Sequence, residues 1–573
     1  MSKLNFDQLP VYEPRHFVPP EVDLTNSQTV VDLYQGLIHR DVKSAKELEQ
    51  WILDRSEMEA SVDQAGDAIY IRMTCQTDNQ EFANEYKKFI ETVVPAIQPL
   101  NDQLNKKYLE LRKQFPVTDH RYEVYDREIR SEIELFREEN VPLMTQVQLL
   151  SQEYQTICGA MTVEFQGKNR TLPEMGKFLQ EPDRVLRESA WRATAERRIQ
   201  ERDRLDEIFD KMLQLRHKIA QQAGCRNYME YQFRAYQRFD YTPQDCKQYH
   251  QAIEKHVTPV WKKILERRRA QMKLEKLKPW DMQVDPLGRA PLKPFEKVEQ
   301  LISGVEEIFK KIHPSFGTEF REMSDLGLLD LESRPGKAPG GYQNTLDEAR
   351  KPFIFMNAVG VDDDVRTLLH EGGHAFHALA CAGQPIHHYR HAPMEFCEVA
   401  SMSMELLGDP HLNVFYSEED FKRSTENHLE SIIYILGWVA TIDAFQHWIY
   451  EHPSHSREER EKIWFEIYDR FGGKFLDWDG LQEFKKSLWH RQLHIFEVPF
   501  YYIEYGIAQL GALQVWLKSR QDLHQAVENY RRGLAMGRSR PLPELFTAAG
   551  INFDFSEKTI APLVKEVEKE LAL

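Results

Sequence analysis

Cysteine is scarce in this chain and shows no spacing. Its six copies, Cys75, Cys158, Cys225, Cys246, Cys381 and Cys397, form no C-x-x-C pair, which excludes a zinc knuckle and gives no sign of a disulfide framework. A reducing compartment follows as the expectation. Unbroken apolar stretches of about 18 residues are missing as well, and the opening residues lack the apolar core of a signal peptide. Membrane spanning and export are therefore not expected, and the protein is expected to be cytoplasmic. Positive charge is in deficit: 74 Lys and Arg stand against 91 Asp and Glu, a net charge of −17. That balance opposes binding to a polyanion such as nucleic acid and favours neutral or cationic ligands. Internal repeats and low-complexity segments are also absent. What remains is a chain of 573 residues, long enough to bury a large core.

Helical periodicity fills most of it. Charged and apolar residues alternate at helical spacing from Thr29 to Gln114, from Asp126 to Gly159, from Arg184 to Ala223, from Pro243 to Leu274 and nearly throughout the segment after Ala392, including an amphipathic tail from Ser556 to Leu573. Between Met161 and Leu172 the pattern changes to two short strands around a Gly-containing turn, with Pro173 opening a new helix. The proline-rich stretch from Leu277 to Pro294 also carries Trp280, Met282 and Leu287, which suits an ordered connection. Short apolar runs at Leu328–Leu331 and Pro352–Asn357 are bounded by Gly and Pro and predict a small sheet. The expected fold is mainly α, with a small β element beside the segment described next.

That segment contains His370, Glu371, Gly372, Gly373 and His374, the pattern H-E-x-x-H. Residues four apart on a helix share a face, so both imidazoles can reach one metal ion while Glu371 points at the water beside it. Asp362, Asp363 and Asp364 precede the run, where carboxylates cap free N–H groups and meet the positive end of the helix dipole. Val365, Leu368, Leu369, Phe376 and Leu379 supply an apolar face. Two adjacent glycines inside a helix cost about 1 kcal/mol each relative to Ala, so something packs closely against them, either a neighbouring helix or a substrate backbone.

A hydrolytic zinc ion needs a third protein ligand and one open position. The metzincin pattern fails, since its Gly and His positions hold His377 and Ala380. A downstream helix offers Glu395, Glu398 and Glu405. Glu398 and Glu405 are seven apart and share a face, so one can bind metal while the other orients a ligand; spacing alone leaves Glu395 and Glu398 both open. His387, His388 and His391, and the i, i+4 pair His490 and His494, lack a Glu beside the first His, and the loop histidines, His388 among them, are read as substrate-facing or structural. Gly340, Gly341 and Tyr342 form a strand-like stretch suited to pairing edge-on with an extended peptide.

Taken together, the blocks Gly336–Tyr342, Pro352–Asn357, Asp364–His377, Glu395–Ser401 and His494–Tyr505 resemble the thimet oligopeptidase and oligoendopeptidase F family of zinc metallopeptidases, in its oligoendopeptidase F branch. The resemblance implies a large helical metallopeptidase fold with a deep substrate channel, residues 1–195 forming a helical wall and residues 196–573 the catalytic region. It implies one zinc ion held by His370, His374 and Glu398, with Glu371 as general base, and it thereby selects Glu398 over Glu395. It further implies that His494, Tyr502 and Tyr505 act in catalysis, with Tyr501 beside them as a packing or substrate-binding residue. The expected function is zinc-dependent cleavage of internal bonds in short unstructured oligopeptides by a monomer or simple homo-oligomer. The alternatives are a zinc carboxypeptidase or dipeptidyl carboxypeptidase, with Arg350, Arg366 and Arg390 as candidate carboxylate anchors, and a non-catalytic peptide-binding protein.

Overall fold

The alternation between Thr29 and Gln114 folds into three helices, Ser27–His39, Ala45–Cys75 and Gln80–Gln114, each started by a side chain that cannot continue the preceding turn. Asn26, Ser44 and Asn79 stand in extended backbone and accept hydrogen bonds from the first free N–H groups of the helix that follows. The computed structural model, which describes Phe6 and residues 9–116 and 120–573, is mostly helical with two small sheets.

The first sheet is the hairpin of β1 (Thr162–Phe165) and β2 (Lys168–Thr171). Its two-residue turn is Gln166 and Gly167, both at positive φ, 53° and 70°, the backbone twist that matches a tight hairpin. Thr171 then caps the turn containing Pro173 in a reciprocal capping box with Glu174. The second sheet has the order β3-β5-β4, where β3 (Leu329–Glu332) runs parallel and β4 (Tyr342–Leu346) antiparallel to β5 (Lys351–Ala358). Phe353, Ile354, Phe355 and Met356 of the central strand are all buried, which is why that strand reads as a continuous apolar run. β4 is an edge strand.

The chain divides into two compact units. Unit one takes Met1–Ile133, Leu292–Ser424 and Gly511–Phe553; unit two takes Glu134–Pro291, Thr425–Leu510 and Asp554–Leu573. Residue 195, where the sequence reading divides the chain, lies within unit two. An apolar cluster in unit one includes Trp51, Leu104, Tyr108, Tyr125 and Tyr389. In unit two Trp280, Trp478 and Leu481 pack with Trp191, and the neighbouring Asp281 carboxylate holds Arg184 and Arg187, so the proline-rich connection is tied down at Trp280 while Leu287 stays exposed. One helix, Glu418–Glu451, is long and apolar enough by composition to cross a membrane, yet 78% of its apolar window is buried inside the protein, as in a core helix.

Candidate metal centre

The strand β5 leads through a short turn into the helix Asp362–Cys381. Asp364 fixes that turn: its Oδ2 accepts the N–H groups of Val359, Gly360 and Val361 at 2.8, 2.7 and 2.9 Å. Asp362 instead accepts from the hydroxyls of Tyr416 and Ser424, and Arg366 is buried against Asp409 and Ser424. Two carboxylates and an arginine thus set the helix start and its rotation before any ligand is considered.

Rotation places His370 and His374 toward a second helix, Met394–Gly408. Their close approach depends on the glycine pair. A Cβ on Gly373 would lie 2.6 Å from the carbonyl oxygen of Ala400 and 2.6 Å from Cα of Ser401, and one on Gly372 would strike the ring of Phe309. The neighbour demanded by the two glycines is therefore a helix backbone on one and an aromatic ring on the other.

This contact brings Glu398 Oε2 to 3.5 Å from His370 Nε2 and 3.8 Å from His374 Nε2, and one donor atom from each of the three residues lies within 4.8 Å of the others. Donors on a tetrahedral zinc ion stand roughly 3.3–3.8 Å apart, given bonds of about 2.0–2.3 Å. The set His, His, carboxylate fits such an ion in chemistry and spacing. Glu405, one further turn-pair along from Glu398, receives His370 Nδ1 at 2.7 Å, which leaves Nε2 as the nitrogen free to meet an ion and would make the ring a better donor. Ser401 Oγ donates to Glu398 at 3.0 Å and holds the other carboxylate. Among these, Ser401 carried a readable signal, a hydroxyl three residues after Glu398 on the same helix face. Glu395 is buried elsewhere on the helix.

The electrostatics suit a cation. Burial opposes protonation of His370, but the hydrogen bond to Glu405 and the charges of Glu405 and Glu398 outweigh it, raising its pKa to about 9. Burial drives His374 well below the ordinary imidazole value, with the charge on His370 adding to the effect. Glu371, adjacent to His370, is buried, which pushes its carboxyl up to about 7, while the charge of His370 and the Gln343 N–H of β4 oppose the rise. A bound cation would pull Glu371 and the histidines down together. No side-chain pattern announces the Gln343 contact, because its donor is backbone.

β4 itself begins at Tyr342, whose ring stacks on Phe355 and whose hydroxyl lies 2.6 Å from Thr74 Oγ1. Gly340, at φ +94°, has nothing within 4 Å of a built Cβ, and Gly341 faces Phe355 and Thr367. The edge beside Glu371 is thus lined by little side-chain bulk. His388 lies against the buried carboxylate of Glu128, which also meets Arg538. His387 and His391 instead gather round Asp347, with Nε2 atoms 3.4 and 3.1 Å from its two oxygens.

The late segment forms a group of its own in unit two. His494 Nδ1 meets Gln492 Nε2 at 2.7 Å, and its ring centroid lies 4.7 Å from Tyr502 and 6.0 Å from both Tyr501 and Tyr505. Tyr505 is also 5.5 Å from Tyr501 and 5.4 Å from Tyr502. His490 turns away to Asp206. His370, His374, Glu398, Glu371 and the Gly340–Tyr342 stretch belong to unit one, and His494 with its three tyrosines to unit two.

Comparison with known proteins identifies the family. The sequence profile described as Peptidase family M3 matches residues 177–564, and that of the Peptidase M3 N-terminal domain matches residues 25–148. A curated relative, the chromosomal oligoendopeptidase F of Lactococcus lactis subsp. cremoris, is 22% identical over 337 residues, covering 56% of this chain and 55% of that protein. The chain spans about half the length of the curated relatives it matches. Solved structures match nearly end to end. One, of PZ peptidase A with an inhibitor, is 27% identical with a TM-score of 0.84, covering 98% of both chains. Another, a putative oligoendopeptidase F from Bacillus anthracis str. Ames, is 26% identical with a TM-score of 0.81 and the same coverage of both.

Proposed function

Because the chain belongs to peptidase family M3, we propose that it is a zinc-dependent endopeptidase that cuts internal bonds of short unstructured oligopeptides. The observation that carries this reading is the convergence of His370, His374 and Glu398 with Glu371 beside them. A divalent ion held by those three donors supplies the Lewis acidity that makes water a nucleophile near neutral pH.

The remaining steps belong to the protein. Glu371 takes the proton of the attacking water as general base and returns it to the leaving amine. Glu405 keeps His370 in the tautomer that presents Nε2. An extended peptide pairs with the edge of β4 near Gly340, Gly341 and Tyr342, a mode that reads backbone and tolerates varied side chains. The family resemblance assigns catalytic roles to His494, Tyr502 and Tyr505, and a phenol O–H is the type of donor that stabilises an oxyanion. Removing one such donor costs about 3 kcal/mol of barrier.

An exopeptidase would need a cation for the substrate's terminal carboxylate. Arg350 is bonded to Glu13 and to the carbonyl of Ala382, Arg366 to Asp409 and Ser424, and Arg390 donates to the carbonyl of Gln384. With Arg350 and Arg366 engaged by carboxylates, internal cleavage is the better reading. Quenched peptides blocked at both ends test it: cleavage abolished by chelator and restored by zinc supports the endopeptidase, and cleavage confined to peptides with a free terminus would reject it.

A further inference from the structure

Two helices of unit two each present a pair of ligand-type side chains at i, i+4 spacing. Cys246 and His250 lie on Pro243–Ala252, and Asp443 and His447 on Glu418–Glu451. All four are buried, none more than 4% exposed. Asp443 Oδ2 receives His250 Nε2 at 2.7 Å and lies 3.3 Å from His447 Nε2. One donor atom each from Cys246, Asp443 and His447 fall within 4.8 Å of one another.

The hydrogen bonding of this group is incomplete in a specific way. Asp443 Oδ1 and His447 Nδ1 are buried without a hydrogen-bond partner, and His447 Nε2 has only the 3.3 Å approach to Asp443 Oδ2. Phe233 and Phe500 flank His447, and Phe471 flanks His250. An orphaned polar atom in such surroundings costs about 1–3 kcal/mol, so two of them beside a cluster of ligand-type side chains point to a missing partner. A water could bond these atoms but adds no charge opposite to that of the carboxylate.

We propose that Cys246, Asp443 and His447 hold a structural divalent cation of the zinc type in the core of unit two, with His250 fixing the carboxylate of Asp443. A thiolate and a carboxylate carry two negative charges, so the loaded group is neutral, which is the state a low-dielectric core favours. Soft sulfur with one imidazole and one carboxylate selects zinc over calcium or magnesium. On loading, Cys246 gives up its thiol proton to solvent and its sulfur bonds the ion. The ion ties the two helices together where no direct Cys246 hydrogen bond does. The 3.3 Å between Asp443 and His447 already equals the donor spacing on a tetrahedral ion, about 3.3–3.8 Å.

The test counts metal in the whole chain produced with zinc and reads the near-ultraviolet spectrum of its cobalt-exchanged form. Two ions per chain and a thiolate-to-cobalt charge-transfer band are expected. Cys246→Ser should lose one ion and the band while still hydrolysing peptide, and His374→Ala should keep one ion and the band. A wild-type chain with one ion and no such band overturns the proposal, as does a band that survives Cys246→Ser. Should Cys246→Ser fail to fold, the His374→Ala chain decides alone: a retained ion with the band supports the second centre, and none rejects it. The band and its loss in Cys246→Ser do not depend on whether the peptidase reading holds; the count of two does.

Discussion

His370, His374 and Glu398 in unit one and Cys246, Asp443 and His447 in unit two are assembled by the same means, an i, i+4 pair on one helix completed by a side chain from another. They differ in access. The side chains of His370 and His374 retain 26% and 19% exposure, and Glu371 stands beside the first of them, whereas Asp443 and His447 are sealed to within 3%. A metal site does hydrolysis only if water and substrate can reach a vertex and a base lies next to it; a three-donor site that solvent cannot reach is left to hold structure. The contrast teaches that ligand spacing alone does not distinguish the two roles, and that accessibility and the neighbouring base do.

The largest effect expected follows from that base. Glu371→Gln should lower kcat/KM on a doubly blocked peptide by about 100- to 10,000-fold with metal content unchanged, while substitution of Cys246 leaves turnover intact. Full turnover in Glu371→Gln would erase the distinction between the two centres. Next comes the carboxylate behind His370: Glu405→Ala should weaken metal affinity by about 10- to 100-fold, measured by competition with a chelator, and excess zinc should recover much of the activity. The helix crossing gives a smaller effect. Gly373→Ala forces a methyl to 2.6 Å from the Ala400 carbonyl and should cost about 1–3 kcal/mol in denaturant unfolding. At Gly383 a built Cβ meets nothing within 4 Å, so Gly383→Ala should stay within about 0.5 kcal/mol of wild type.

The smallest effect concerns a third His and carboxylate group, Asp347 with His387 and His391. Burial opposes protonation of His387, but the facing Asp347, with Asp63 3.6 Å away, outweighs it and raises the pKa, Arg390 acting against them. A raised folded value means that the stabilisation is fully present below the unfolded value of about 6.5 and is lost as pH rises through the folded one. The melting-temperature gap between wild type and His387→Gln should therefore narrow as pH rises from mildly acidic to alkaline. A gap that widened would show that this group is held together in some other way than by a proton.

Much of the fold was legible because its signals are local. The periodicity from Thr29 to Gln114 folds as helices, although the caps at Ser44 and Asn79 that divide it were not read; the Gly167 turn makes the hairpin, and the apolar run at Pro352–Asn357 lies within a buried central strand. The Asp triplet before His370 was readable as helix-start chemistry, although the division of labour was not: Asp364 reaches back to three N–H groups while Asp362 holds Tyr416 and Ser424. The pairing of Cys246 and His250 with Asp443 and His447 escaped notice, since each pair is ordinary by itself and His250 lies 193 residues from Asp443. The division of the chain was equally hidden, because each unit is gathered from three separated stretches.

By itself the sequence determined that the imidazoles of His370 and His374 would share one helix face, because the angle between side chains four apart is a property of the helix and of nothing else. It also placed Glu398 and Glu405 on a common face for the same reason. Only the tertiary structure decided how close those helices come and which carboxylate takes which task, with Glu398 facing both Nε2 atoms and Glu405 under Nδ1 of His370. That decision rests on backbone meeting backbone at Gly373, a contact between distant residues whose geometry is set by packing rather than by local spacing.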